Sequence, residues 1–482
     1  MNGLMSRLFT IARAEWQLWL RQRLALGALL VFALLLVATS LVTALKASQE
    51  HHERTHQQAA AEASFLSQPD RHPHRMVHYG HYVFRIPAPL SMIDPGVDSV
   101  TGQSMFLEGH QQNTAMFADA RASAELGGFE NLTTALVYQL FLPLLLIAIG
   151  HGLIIRERED NTLAPLLAQG MTGIQLFAAK WMALAGLSLA LLLPLAIMGA
   201  IAASQGAAVL ASAAIIGLYA LYVLVWCSLI LLVSTCVRSR SIALGILTLC
   251  WLAAALIVPR IAVESASSAV PAPSKLETDI NMQAELRTVG DGHNADSPNF
   301  QQLRANLLAQ YDVTRVEDLP VNFRGMVAQS AEAGLTEVMN RHAEERMALE
   351  AAQARFAASF GWLSPVLTVS AGSRALAATD LATHHRFLRE AEAVRFDFVQ
   401  GLNRVHAEQL AYRDDINRNR DRQASRRTRM SADNWKVLDE FSFEPAAAGE
   451  RIANASTPAA MLLAWLLMLT AIGILAARRM QP

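Results

Sequence analysis

The sequence predicts an all-α polytopic membrane protein: six transmembrane helices, an N-terminal interfacial helix and a mostly helical extracytoplasmic domain. Three observations predict it. Hydrophobic residues make up 53% of the 482 and charged residues only 17%, a balance that does not describe a soluble protein. Six apolar runs reach the roughly 20 residues that a helix needs to cross hydrocarbon with its backbone polar groups satisfied internally. The arginines and lysines of the short flanks all fall on one side of those runs.

Residues 1–23 come first. Leu4, Leu8, Ile11, Ala12, Trp16 and Trp19 share one helical face, and Ser6, Thr10, Arg13, Gln17 and Arg21 the other. That pattern predicts a helix lying in the inner leaflet, with packing on another protein as the alternative; the two tryptophans favour the interface. The run 24–45 is too long for a signal-peptide core and no small-x-small cleavage site follows, so it is a retained first span. Residues 46–131 form an extracytoplasmic segment, 132–155 the second span and 156–173 a cytoplasmic loop. Span three, 174–203, carries Lys180, which can snorkel, and Pro194, which should kink it. After a minimal outer hairpin come span four (209–236) and span five (242–263), whose apolar core Pro259 and Arg260 end early. Residues 264–457 form a large extracytoplasmic domain, 458–477 the sixth span and 478–482 a cytoplasmic tail.

Orientation follows from Arg7, Arg13, Arg21 and Arg23 before span one, Arg156, Arg158 and Lys180 between two and three, Arg238 and Arg240 between four and five, and Arg478 and Arg479 after six. The positive-inside rule makes that side cytoplasmic and puts both termini inside. In the large domain, Leu388, Ala391, Val394, Phe398, Leu402 and Val405 recur at helical spacing. The stretch "GWLSPVLTVSAGSRALAAT" is apolar but too short and broken to cross, so it is expected on the membrane surface or against the spans.

Several functions are excluded. A net charge of −1 gives no basic surface for nucleic acid. Cys227, Cys236 and Cys250 all lie in or beside apolar runs, so no disulfide framework and no CxxC metal site is expected. The chain has no GxxxxGK[ST], HExxH, GxSxG or kinase signature, and His151 is the main ionisable residue in the spans apart from Lys180. It reads as a non-enzyme.

The loop after span two, "IIREREDNTLAPLLAQGMTG", answers what else the chain could do. Its charges stop span two at the headgroups; Asn161 or Thr162 could cap a short helix presenting Leu163, Leu166 and Leu167 on neighbouring faces, a shape suited to a groove on another protein. This stretch resembles the Glu-Arg-Glu-x-Gly-Thr-Leu signature that follows span two in permease subunits of the type 2 ABC transporter superfamily, matching at Glu157, Arg158, Glu159, Thr162 and Leu163 and departing at Asn161, where the family has glycine. The N-terminal helix, the six spans and the cytoplasmic termini extend the likeness. The outer stretches "HYGHYVFRIPAPLSMIDPGVDSVTGQSMFLEGHQQN" and "LAATDLATHHRFLREAEAVRFDF" resemble a subgroup with a large extracytoplasmic domain of unassigned activity between spans five and six.

The resemblance implies a permease subunit with an ATPase-coupling region at Arg156, Glu157, Arg158, Glu159, Asn161, Thr162, Leu163, Leu166 and Leu167. It implies two copies of a separate ABC ATPase subunit carrying ATP and Mg, a second permease protomer, identical or related, and export of an unidentified substrate from a bacterial inner membrane. No cofactor is expected on this chain, and a periplasmic partner would meet the outer domain. The rival from another class is a membrane-anchored sensor or assembly factor whose outer domain binds a metal centre or partner protein.

Two further clusters stand out. Eight of the 14 histidines fall in the first outer segment: His51, His52, His56, His72, His74, His78, His81 and His110. "HPHRMVHYGHY" brings His72, His74, His78 and His81 together as candidate metal ligands, set against solvated or hydrogen-bonded histidines, which the irregular spacing favours. In "RNRDRQASRRTR", Arg418, Arg420, Arg422, Arg426, Arg427 and Arg429 could meet an anion or lipid headgroups, set against a solvated helix surface paired with acidic residues.

Overall fold

The computed structural model describes residues 2–116, 132–290, 292–437 and 441–480; part of the first outer segment (117–131) and the end of the tail (481–482) lie outside the described residues. Six helices are long and apolar enough to cross a membrane: Arg23–Leu66, Thr134–Glu159, Gly173–Ser204, Val209–Cys236, Arg240–Ala269 and Ala448–Arg478. This is a multi-pass inner-membrane protein. The first helix runs for 44 residues, about 65 Å, so it crosses and then continues as a stalk into the extracytoplasmic domain.

The N-terminal helix, Asn2–Arg21, buries Leu8, Ala12, Glu15 and Trp19 while Met5, Phe9 and Leu20 stay exposed. Its buried face packs on span three, where Trp16 Nε1 donates to the Ala183 carbonyl at 2.9 Å. Gly186 makes the approach feasible: a Cβ there would come within 2.9 Å of the Trp16 ring. Span three breaks at Leu191–Leu192, just before Pro194, where the ring cannot continue the hydrogen-bond ladder.

Span five carries on through Pro259, because a π-turn at Ala253–Ile257 absorbs it. Val258 N–H reaches Ala253, so the next carbonyl in that pattern, Ala254, would need the N–H that proline lacks; Ser364 Oγ donates to it instead at 2.6 Å. Ser364 opens the helix Pro365–Ala377 from "GWLSPVLTVSAGSRALAAT", which packs against spans four and six rather than lying apart from them. Gly372 is the contact point, with space for a Cβ only 2.8 Å from Leu218 and 3.1 Å from Pro458. A second π-turn, Val137–Phe141 in span two, places Gln139 between Tyr219 Oη (2.9 Å) and Tyr222 Oη (2.5 Å), and Tyr219 reaches Ser373 at 3.1 Å.

The extracytoplasmic domain is mostly helical, built on Lys275–Val289, Gln301–Gln310, Phe323–Ser359 and Leu381–Gln409. The two outer segments share one core. Phe65, Met76, Val77, Val83, Met105 and Leu107 from the first pack with Phe387, Ala391, Phe398, Leu402 and Trp435 from the second. Four of the six residues at helical spacing, Ala391, Phe398, Leu402 and Val405, are buried as that spacing predicts. The first segment also contributes two short antiparallel strands, β1 (His81–Phe84) and β2 (Ser104–Leu107), paired His81 to Leu107 through Phe84 to Ser104. Four-residue strands leave almost no alternation to read in sequence. Across the core lies Arg395, fully buried, bonded to Glu392, Glu332 and the Thr336 hydroxyl.

Candidate metal centre and the loop after span two

Pro73 opens a seven-residue helix, Pro73–Tyr79, capped by His72, whose Nδ1 accepts from the His74 N–H at 3.2 Å. His74 and His78 sit four residues apart on it and therefore share a face. Their Nε2 atoms lie 3.2 Å apart. His110 reaches them from the turn after β2, where it holds a left-handed backbone at φ 66°. Glu332 explains that strain: its Oε2 accepts from the His110 N–H at 3.0 Å and lies 3.1 Å from His110 Nδ1.

The fourth member, His293, comes from the domain loop between Val289 and Pro298. Gly290 and Gly292 turn that loop at positive φ, and a Cβ on Gly292 would meet Ala331 at 2.8 Å, so the loop lies hard on the Phe323–Ser359 helix. Asn299 ties it down by donating to the Thr288 and Val289 carbonyls, each at 3.0 Å. One ring nitrogen from each of His74, His78, His110 and His293 lies within 4.8 Å of the other three, with His74 and His110 half-buried and His78 and His293 exposed. Burial, followed by the neighbouring rings of His78, His110 and His293, pushes the His74 pKa down to about 2. Burial and two of the same neighbours lower His78 as well. These rings are therefore neutral near pH 7, with lone pairs to offer.

A second group is fully buried: His72, His406 and Asp415. Asp415 accepts from His406 Nε2 at 2.8 Å and lies 3.2 Å from His72 Nε2, and Asn322 Nδ2 donates to it at 3.2 Å. Burial works against its charged form, but the histidine hydrogen bonds outweigh it and hold the carboxyl well below the usual carboxylate range. Burial likewise brings His72 down to about 4 against the pull of Asp415. Here a cation is already supplied by the protein: Arg418 Nη1 sits 2.8 Å from Asp415 Oδ1 and 2.5 Å from His72 Nε2.

The expectation that this chain carries no cofactor is thus overturned, since two clustered groups could coordinate a metal ion. Of the four candidates from sequence, His74 and His78 enter the first group, His72 enters the second, and His81 joins neither, being buried on β1 against the Phe65 ring. Sequence proximity misses His293, His406 and Asp415 because they arrive from the other outer segment; His110 was visible only as a nearby histidine.

The arginine run divides in the same way. Arg418 turns inward to Asp415, and Arg427 makes a bidentate pair with Asp414 at 2.7 and 2.8 Å. Arg420, Arg422, Arg426 and Arg429 are exposed. Arg418 and Arg429 line a cavity of about 320 Å³ together with Arg71 and Arg75; Arg420, Arg422 and Arg426 are not among its lining residues.

On the opposite side of the spans, the charges of the loop are anchored in shared ion pairs. Arg156 Nη2 donates to both carboxylate oxygens of Glu15 at 2.5 and 2.6 Å. Lys180, buried, bonds Glu15 and Glu157. Arg158 donates to the Thr235 and Val237 carbonyls (2.9 and 3.1 Å) at the end of span four, and Glu159 pairs with Arg240 at the start of span five. Between the helices Ile155–Glu159 and Leu163–Ala168, Asn161 takes a left-handed backbone, φ 58°. Neither Asn161 nor Thr162 caps the second helix with its side chain; the Thr162 hydroxyl bonds Glu157 instead, because the left-handed turn brings that residue back to it. Leu163 is buried within the chain and Leu166 and Leu167 are half-buried, which leaves Ala164, Pro165 and Ala168 as the open face.

Residues 275–444 match the model of a domain of unknown function, DUF3526. No curated protein matches the chain. Fold, sites and match together define a polytopic helical membrane protein of six membrane-length helices, with a large, mostly helical DUF3526 domain between spans five and six.

Proposed function

We propose that this chain is the transmembrane permease subunit of an ABC transporter in a bacterial inner membrane, and that its extracytoplasmic domain binds a metal centre. The metal-binding half has the more direct support, because four imidazole nitrogens already lie within 4.8 Å of one another. Its test is metal content: chain loaded with Zn²⁺ and then desalted should retain the ion, and a His74→Ala, His78→Ala variant should not.

The permease half rests on Asn161. It adopts the left-handed backbone at the one position where the resembling signature carries glycine. Two ATPase subunits, closing on ATP and Mg, would push the open face at Ala164, Pro165 and Ala168. The push would pass through Glu157, Lys180 and Glu15 to the N-terminal helix and span three, and through Arg158 and Glu159 to spans four and five. Both termini are cytoplasmic in this reading, a second permease protomer completes the path, and an unidentified substrate is exported; ATP hydrolysis belongs to the partner chain. A second reading, favoured by the same histidine group, is a membrane-anchored sensor or assembly factor in which no cargo crosses.

An Ala164→Glu, Ala168→Glu variant separates the two, since both positions are exposed and tolerate charge without disturbing the fold. Loss of ATPase co-purification with metal binding retained supports the permease. Unchanged ATPase binding and transport overturn it.

A further inference from the structure

Resting on the metal-binding half of that reading, we infer that His74, His78, His110 and His293 close around a single late first-row divalent cation, which clasps residues 292–298 of the DUF3526 domain to the first outer segment. The donor set selects the ion. Four imidazole nitrogens suit Cu²⁺, Ni²⁺ or Zn²⁺ and match poorly the oxygen ligands that Mg²⁺ and Ca²⁺ require. The arrangement selects the role. Three of the ligands come from residues 74–110, and the fourth, His293, comes from the loop of the other outer segment.

His110 shows that this is a built site. Both ring nitrogens are buried with no hydrogen bond among the described residues, and Nδ1 lies 3.1 Å from Glu332 Oε2. Glu332 is itself held by the fully buried Arg395 and accepts from the His110 backbone N–H, so the carboxylate is fixed beside the ring before an ion arrives. We assign Glu332 as a positioning residue. The Nε2–Nε2 contact of His74 and His78, 3.2 Å, is one that a shared metal would satisfy. The buried His72–His406–Asp415 group lacks this openness, because the Arg418 guanidinium stands within hydrogen-bond distance of two of its members.

The experiment uses the full chain in detergent, stripped with chelator and titrated separately with Zn²⁺, Cu²⁺, Ni²⁺, Mg²⁺ and Ca²⁺. One Zn²⁺ or Cu²⁺ per chain is expected, with Mg²⁺ and Ca²⁺ not competing. His293→Ala and His110→Ala should each weaken binding at least roughly tenfold, and Glu332→Gln by about 10- to 100-fold. Metal should slow amide hydrogen exchange across 292–298 in the natural chain and not in His293→Ala, whose metal-free thermal unfolding should match that of the natural chain. Copper-loaded Glu332→Gln should change its electron paramagnetic resonance spectrum, whereas Glu337→Gln should not; identical spectra overturn the positioning role. No bound metal at all overturns both the metal-binding reading and the clasp. Metal bound equally by His293→Ala overturns only the clasp. Metal retained by His74→Ala, His78→Ala but lost in His406→Ala moves the site to the buried group and overturns the assignment.

Discussion

Replacing Arg395 with methionine removes a fully buried cation from the extracytoplasmic core and keeps most of the side-chain volume. In the native chain its Nε lies 2.8 and 2.9 Å from the two Glu392 oxygens, its Nη2 is 2.7 Å from both Glu392 and Thr336, and its Nη1 bonds Glu332 and the Glu108 carbonyl. The side chains of Arg395 and Glu332 are both 0% exposed, so water screens little of this. Arg395→Met would leave two buried carboxylates facing each other. Glu392, already raised by burial, would take up a proton, while Glu332 would keep only His110 and Thr336. Stripping one partner from a buried ion pair costs about 3–5 kcal/mol. At about 1.4 kcal/mol per factor of ten, core amides of Leu381–Gln409 that exchange through opening of the domain should exchange roughly 10²- to 10⁴-fold faster. Mutating Glu392→Leu as well should recover part of the loss, since the orphaned charge goes with it. Acceleration of less than about fivefold in Arg395→Met would refute the claim that these charges are desolvated and mutually dependent.

Other expectations follow from single contacts. Gly325→Ala should destabilise the domain by about 1–3 kcal/mol, because its Cβ would lie 2.4 Å from the backbone of Ala407 and neither helix can yield; thermal unfolding compared with Gly449→Ala, where nothing lies within 4 Å, checks it. Burial brings His81 to about 4, and burial together with Arg85 brings His384 to about 4, so the folded state binds fewer protons than the unfolded one. Their contribution is intact above pH 6.5 and is lost as pH falls from there through 4, at most about 3 kcal/mol each; a His384→Gln chain should show a shallower loss of melting temperature over that window. Asn161→Gly should leave the loop's function intact, whereas Asn161→Val, forced into a left-handed backbone, should cost about 1–2 kcal/mol locally and lower ATPase coupling, read as ATP turnover of the reconstituted complex.

The candidate sites were legible in proportion to how local their geometry is. His74 and His78 can be paired from sequence because a helix places residues four apart together. Their companions were not legible: His110 depends on a strained turn held by Glu332, and His293 sits in a loop packed against Ala331 from another helix. His81 illustrates the opposite error, since nearness along the chain put it with His78 while the start of β1 turned its ring into the core beside Phe65. In the loop after span two, residue order does not tell which of the leucines faces outward; Leu163 is buried.

What the sequence alone determined is the number and the helical nature of the membrane-length segments. Six runs of sufficient length and apolarity must become helices because hydrocarbon offers no partner to an open backbone, and the polar stretch between the last two must fold outside it. Only the tertiary structure decided how polar residues are used. Lys180, expected to snorkel to the headgroups, instead lies buried against Glu15 at the base of the spans, and Arg395 joins three elements in the domain. Histidines from the two outer segments converge because those segments share one apolar core. Burial makes an unpaired charge or imidazole costly, so such groups find partners wherever packing brings them, and that pairing has no period along the chain.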